Sequence, residues 1–135
     1  MTVILEKDAT LPKILVVQGN SPIGPMLQRI LEKAGHHVML ATPEFVARPS
    51  STELSPSLVI ADCMAGPTDT RLETLRHVHE AVPQAKIIVL FSGQDENPGD
   101  RQAVANQPGV VRVLNDPFEV GGLFDVMRSA IESPR

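Results

Sequence analysis

The chain has 135 residues, which suits one folded domain, and its 42% apolar and 21% charged residues are ordinary for a globular protein. Its net charge is −4 and it contains neither Trp nor Tyr, which argues against a nucleic acid as its partner. No apolar run approaches the ~18 residues of a membrane-spanning helix, so we expect a cytoplasmic protein that has no membrane partner.

Short apolar runs and helical spacings alternate along the chain. The runs predict five β-strands, at 14–17, 38–40, 58–61, 87–90 and 110–114. Apolar residues at helical spacing predict helices at 23–34, 72–82 and 120–131, and a shorter helix is expected near 100–106. Three prolines between 42 and 56 predict a short or irregular second crossover.

This alternation predicts the fold class. Nearly continuous apolar strands that alternate with helices are typical of a parallel sheet covered on both faces. We therefore expect an α/β protein with a flavodoxin-like (βα)5 fold, a doubly wound sheet of five strands. Residues 1–12 are predicted to be a flexible lead-in, and the domain is predicted to extend over 13–133.

Several local strings, taken in order, resemble the receiver domain of two-component response regulators, the CheY-like family. They are KILVV at 13–17, EKAGHHV at 32–38, LVIADCM at 58–64, IIVLFS at 87–92 and NDPF at 115–118. The resemblance covers nearly the whole chain and implies a role in phosphorelay signal transduction. In that family a phosphoryl group is transferred to an aspartate with the help of Mg²⁺, a hydroxyl group and a lysine.

The resemblance assigns two positions that keep the family's chemistry. Asp62, at the end of the third strand, occupies the phosphoacceptor position, and Ser92 occupies the position of the supporting hydroxyl. Because the carboxyl ends of parallel strands meet at one edge of a sheet, we expect these residues to share that edge.

Four positions depart from the family pattern. Gln18 and Gly19 replace the acidic pair that holds Mg²⁺, a cation that prefers carboxylate oxygens. Asp116 replaces the lysine, and Val113 replaces the aromatic switch residue. We therefore expect no metal and no cofactor, with Mg²⁺ bound only if Asp62 is phosphorylated. The chain is interpreted as a pseudo-receiver that contacts other proteins and has no enzymatic turnover.

Two other functions stay open. The first is a phosphorylatable receiver that accepts a phosphoryl group on Asp62 from a histidine kinase. The second is a nucleotide-binding Rossmann-like domain, because 19–24 matches the pattern G-x-G-x-x-G except that Ser21 replaces the second glycine. That glycine lets the backbone approach a pyrophosphate, so its absence counts against this alternative.

The remaining polar residues indicate surfaces rather than further sites. Mixed charges on the fifth strand and last helix suggest a partner surface or a homodimer contact, with a protein of a signalling pathway as the expected partner. His77 and His79 are two apart on a helix, so they point to different sides and are interpreted as solvated residues. Cys63 is interpreted as a small buried hydrophobic residue.

Overall fold

The structure is a computed structural model that describes residues 13–19, 22–48, 55–64, 68–92, 98–115 and 118–132. Its strands are β1 (Lys13–Val17), β2 (His37–Ala41), β3 (Leu58–Cys63), β4 (Lys86–Phe91) and β5 (Val110–Asn115). Its helices are α1 (Ile23–Lys33), α2 (Pro43–Val46), α3 (Thr68–Ala81), α4 (Pro98–Ala105) and α5 (Val120–Glu132). The predicted lead-in, 1–12, and Ser133 lie outside the described residues.

The five strands form one parallel sheet in the order β2-β1-β3-β4-β5. Every residue of the central strand β3 is buried, as expected of a strand between two helical layers. In the register, Val17 pairs with Ala61 and Asp62 pairs with Leu90, so the carboxyl ends of β1, β3 and β4 lie at one edge. The predicted flavodoxin-like (βα)5 fold is confirmed.

Alternation along each strand divides the apolar side chains between two cores. The first core lies on the face that carries Val17 and Ala61, where Leu75 of α3 and Val104 of α4 cover the sheet. The second lies on the opposite face, under helices α1 and α5, and its members include Val16, Ile60, Leu27, Leu31, Leu123 and Met127. Successive side chains of a strand point to opposite faces of the sheet, and here both faces are apolar. Helices are therefore needed to cover both faces.

Some local expectations differ from the structure. The last helix has the predicted apolar stripe, but Val120 and Ile131 are each 39% exposed because they lie at the ends of α5. His77 and His79 are both half-buried rather than solvated, and His79 lies beside the turn at Gly109, where an added Cβ atom would be 3.0 Å from its Nδ1 atom. The short second crossover contains the four-residue helix α2, which Thr42 caps by accepting a hydrogen bond from the Phe45 N–H.

Among the helices within the described ranges, none is long and apolar enough to cross a membrane.

Candidate functional site

Asp62 lies one residue before the end of β3, and only 7% of its surface is exposed. Its Oδ2 atom accepts a hydrogen bond from the Gly19 N–H at 3.2 Å, and its Oδ1 atom accepts one from the Met64 N–H at 3.1 Å. A buried carboxylate needs such donors, because its removal from water is otherwise costly. Loop amides on either side of the strand end therefore stabilise the Asp62 side chain.

Gly19 can make this contact because it has no side chain. A Cβ atom at this position would collide with the backbone carbonyl oxygen of Asp62 and would lie 3.1 Å from the Asp62 Cγ atom. The preceding residue, Gln18, fixes the loop by donating its N–H to the Ala41 carbonyl at 2.7 Å. A side chain at position 19 would thus require the loop after β1 to move away from β3.

A cavity of about 300 Å³ opens beside Asp62, between the ends of β1 and β3 and the helices α2 and α3. Among the described residues that line it, two are acidic, Asp62 and Glu44, and one is basic, Arg71. The other lining residues are apolar, neutral polar or glycine: Val17, Gln18, Gly19, Thr42, Pro43, Cys63, Thr70 and Thr74. The structure therefore brings together three of the predicted site positions, Gln18, Gly19 and Asp62.

Arg71 is a residue of this site that the sequence interpretation missed. It is 95% buried on α3, and its guanidinium carbon lies 5.1 Å from the centroid of the Phe91 ring. A guanidinium stacks well on an aromatic face. Arg71 precedes the buried residues Leu75 and Val78 by four and seven positions, so a charge on the apolar stripe of α3 was the available sequence signal.

Cys63 contacts the same cavity and is a buried free cysteine, as interpreted from the sequence. Its pKa is raised from 9.0 to about 12, mainly because burial disfavours the thiolate. The negative charge of Asp62 also raises this pKa, whereas the positive charge of Arg71 lowers it. The thiol is therefore protonated at neutral pH and is a poor nucleophile.

The other predicted site positions lie elsewhere or outside the described residues. Ser92 directly follows β4 at the same edge of the sheet and is half-buried, but it is not among the described residues that line the cavity. Val113 packs partly buried against the first core, and its carbonyl accepts a hydrogen bond from Arg101 at 3.5 Å. Asp116 lies outside the described residues.

The segment proposed for a nucleotide, 19–24, is described only in part, because Asn20 and Ser21 lie outside the described residues. A Cβ atom on Gly24 would lie 3.2 Å from Leu40 Cδ1 and 3.3 Å from Gln18 Cγ. Gly24 thus permits close packing of α1 on the sheet, which is a structural role.

The residues present do not fit the Mg²⁺ that the fold family implies. In the described part of the chain, no group of three or more His, Cys, Asp or Glu residues is arranged to hold a metal ion. Gln18 and Gly19 bring no carboxylate to Asp62, and the Asp62 backbone fills the space that a side chain on residue 19 would need.

The sequence matches no family model and no curated protein. Solved structures are similar in fold. The signal receiver domain of an HD domain-containing protein from Pseudomonas fluorescens Pf-5 has a TM-score of 0.71 and 23% identity, covering 90% of this chain and 94% of that one. A CheY-like response regulator receiver domain protein from Methanospirillum hungatei JF-1 has a TM-score of 0.71 and 20% identity, with coverages of 91% and 95%.

A third similar structure is the pilus assembly protein CpaE from Caulobacter crescentus CB15. Its TM-score is 0.65 at 13% identity, and the match covers 89% of this chain and 99% of that one. The order of the strands in the sheet, the carboxylate at the end of β3 and these similarities in fold all indicate the same fold. The chain has the CheY-like fold of response regulator receiver domains.

Proposed function

We propose that the chain is a signalling module whose receiver-like domain, 13–133, contacts partner proteins without phosphorylation of Asp62. The observation that carries this proposal is the close approach of Gly19 to Asp62, with one N–H bonded to the carboxylate and no room for a side chain. Phosphoryl transfer depends on positive charge placed around the transferred group. The loop after β1, which carries the acidic pair in the family, supplies a glycine instead.

The receiver fold itself supports a role in signal transduction rather than an enzymatic one. The similar structure from Pseudomonas fluorescens is a signal receiver domain of an HD domain-containing protein. By analogy, we propose a protein partner and a cytoplasmic location for this chain, with no turnover of its own.

We also propose that β5 and α5 form the partner surface, including a contact between two copies of the chain. Val111 on β5 is 40% exposed and Val120 at the start of α5 is 39% exposed. The exposed pair Asp125 and Arg128 adds charge of both signs, with 3.0 Å between their side-chain atoms. Exposed apolar residues bordered by charges are typical of protein interfaces.

A phosphorylatable receiver is the second candidate, favoured by the position of Asp62 at the end of β3 and of Ser92 directly after β4. The two candidates differ in their reaction with a small phosphodonor. Asp62 would attack the phosphorus of acetyl phosphate, and acetate would leave, giving an aspartyl phosphate.

The test is intact-mass analysis after incubation with acetyl phosphate or phosphoramidate and Mg²⁺. We expect the wild-type mass to stay unchanged, while a phosphorylatable receiver in the same reaction gains one phosphoryl group. The matched control is the Asp62→Asn variant. Addition of one phosphoryl group to the wild type but not to this variant would overturn the proposal in favour of the second candidate.

A further inference from the structure

β5 lies at the edge of the sheet, and within the described residues its outer side has no neighbouring strand. Backbone N–H and C=O groups on an open edge can pair with a strand of another chain, so natural proteins cover or interrupt such edges. The sequence of β5, VVRVLN, is largely apolar and rich in residues that favour strands. The outer side of β5 is therefore a potential site of association between chains.

The pairing with β4 identifies the residues of β5 that face this outer side. The Ile87 N–H donates to the Gly109 carbonyl at 2.9 Å, so the backbone groups of Ile87 point toward β5. Every second residue of a strand points to the same neighbour, so the backbone groups of Val89 also point toward β5. Val113 is the register partner of Val89, and in a parallel pair it directs its own N–H and C=O away from β4. Asn115, two residues further on, does the same.

The side chain of Arg101 covers these two outward-facing positions. Its Nε atom donates to Asn115 Oδ1 at 3.1 Å, and its Nη2 atom lies 3.5 Å from the Val113 carbonyl oxygen. The first distance is that of an ordinary hydrogen bond, and the second is a long one. Arg101 belongs to α4, which Val104 anchors in the first core. A planar guanidinium on a packed helix thus bridges two successive positions of the strand edge.

The turn that follows α4 closes the beginning of the same strand. The Val110 N–H donates to the Gln107 carbonyl at 3.1 Å, so this backbone donor is already occupied. The Gln107 side chain in turn donates from Nε2 to the Ala103 carbonyl of α4 at 3.4 Å. Between the two ends, Val111 has no register partner, and such an irregularity interrupts a regular edge. α4 and its turn therefore contact β5 at both of its ends.

We propose that α4 covers the edge of β5 and that Arg101, by occupying the outward-facing positions Val113 and Asn115, prevents β5 from pairing with β5 of a second copy of the chain. A second copy is the occupant of an uncovered edge, because the edge is the same in every molecule and two such strands can pair about a two-fold axis. The cover leaves the exposed side chains of β5 accessible to a partner. It does not depend on whether Asp62 is phosphorylated.

Arg101→Met removes the contacts to the strand edge and keeps much of the side-chain volume. We expect its association constant in sedimentation equilibrium to exceed that of the wild type by at least about tenfold. The matched control is Arg76→Met, which removes the same charge from α3, where Arg76 is 55% exposed and pairs with Glu73 and Glu80 at the surface. This control should associate like the wild type. Equal association of the two variants would overturn the inference.

Adding Asn115→Pro to Arg101→Met separates strand pairing from other association. Proline is tolerated at a sheet edge but has no N–H, so it removes an outward donor that a pairing strand needs. We expect the combined variant to associate like the wild type. In concentrated Arg101→Met, the Val113 amide should exchange hydrogen at least about tenfold more slowly than in the dilute protein. Association that persists or increases in the combined variant, as unfolding would cause, or unchanged exchange at Val113, contradicts the proposal.

Discussion

At the scale of single residues, the environment of Asp62 depends on the glycine opposite it. The Gly19 N–H reaches the Asp62 carboxylate, and the backbone of Asp62 fills the space where a side chain on residue 19 would begin. The same replacement that removes a metal-binding carboxylate from the loop thus permits a hydrogen bond in its place. This contact joins residues that are 43 positions apart in the chain.

We expect Gly19→Ala to destabilise the protein by about 1–3 kcal/mol, because the added Cβ forces the loop away from Asp62. Urea denaturation followed by circular dichroism measures this loss. The control is Gly121→Ala in α5, where the added Cβ meets no atom within 4 Å outside its own stretch of the helix. That change should instead stabilise the helix by about 0.5–1 kcal/mol. Equal stabilities of Gly19→Ala and the wild type would contradict the contact.

Because of Cys63, we expect the free energy of unfolding to fall as the pH becomes alkaline. Burial raises the pKa of its thiol from 9.0 to about 12, so the folded state holds the proton more tightly than the unfolded chain does. The stabilisation is complete below pH 9.0 and is lost as the pH rises toward 12. Within this range the loss is at most about 1.4 kcal/mol per pH unit.

The measurement compares the unfolding free energies of the wild type and Cys63→Ala at about pH 8 and about pH 10.5. The wild type should exceed the variant in unfolding free energy at the lower pH, and this difference should shrink by about 1–2 kcal/mol at the higher pH. Lysine titration affects both proteins alike, and the chain has no Tyr. A difference that is independent of pH would show that the thiol does not couple folding to alkaline titration.

At the scale of elements, the sheet holds its covering helices by a few polar contacts beside the apolar ones. Lys86 at the start of β4 donates a hydrogen bond from Nζ to the Ala130 carbonyl near the end of α5, at 2.5 Å. The last carbonyls of a helix have no partner within it, and the C-terminal end carries a partial negative charge. A lysine at this end donates a hydrogen bond to a carbonyl, and its positive charge is attracted to the partial negative charge. Arg101 similarly joins α4 to β5 by donating from Nε to Asn115 Oδ1 at 3.1 Å.

Lys86→Met should destabilise the protein by about 1–2 kcal/mol and increase amide hydrogen exchange in the last turns of α5. The control is Arg128→Gln on the same helix, which removes a surface pair with Asp125 whose side chains are 63% and 71% exposed. That loss should stay below about 0.5 kcal/mol. Equal effects of the two substitutions would mean that the contact with Ala130 adds nothing beyond surface electrostatics.

The ends of the strands and helices show how precisely a pattern of apolar residues predicts where an element begins and ends. The strands extend the predicted runs by one or two residues, because Lys13, His37 and Asn115 continue the parallel ladder without being buried apolar residues. Helix α3 begins at Thr68, four residues before the first apolar position of its stripe. Polar first turns have no periodicity to reveal them, so helix starts are predicted less well than helix centres.

At the scale of the whole molecule, the sheet separates two cores and leaves β5 as an edge strand. The pairing of β4 with β5 shifts by one residue at Ile87 and Ile88, and Val111 is the residue without a register partner. Such an irregularity twists an edge and weakens its tendency to pair with other strands. A contact between copies would therefore use side chains of β5 and α5 rather than a continuous sheet.

We expect sedimentation equilibrium to show a monomer–dimer equilibrium that Val111→Asp weakens by at least about tenfold, because the substitution places a charge within an apolar contact. Met26→Asp is the control, since Met26 is 48% exposed on α1 and that helix packs against β1 and β2, at the opposite edge of the sheet from β5. It should leave the equilibrium unchanged. A wild-type protein that stays monomeric at all concentrations, or equal effects of both variants, would remove the proposed contact.

The sequence by itself determined the order of strands and helices, the two-sided sheet and the location of Asp62 at the end of β3. These follow from periods of two and 3.6 residues and from the rule that parallel strands end at one edge, which are local or topological properties. Only the tertiary structure decided that Gly19 bonds to Asp62 and that Arg71 of α3 lies in the same cavity. Contacts between distant segments depend on how loops and helices pack across the sheet, and no spacing within one segment encodes that distance.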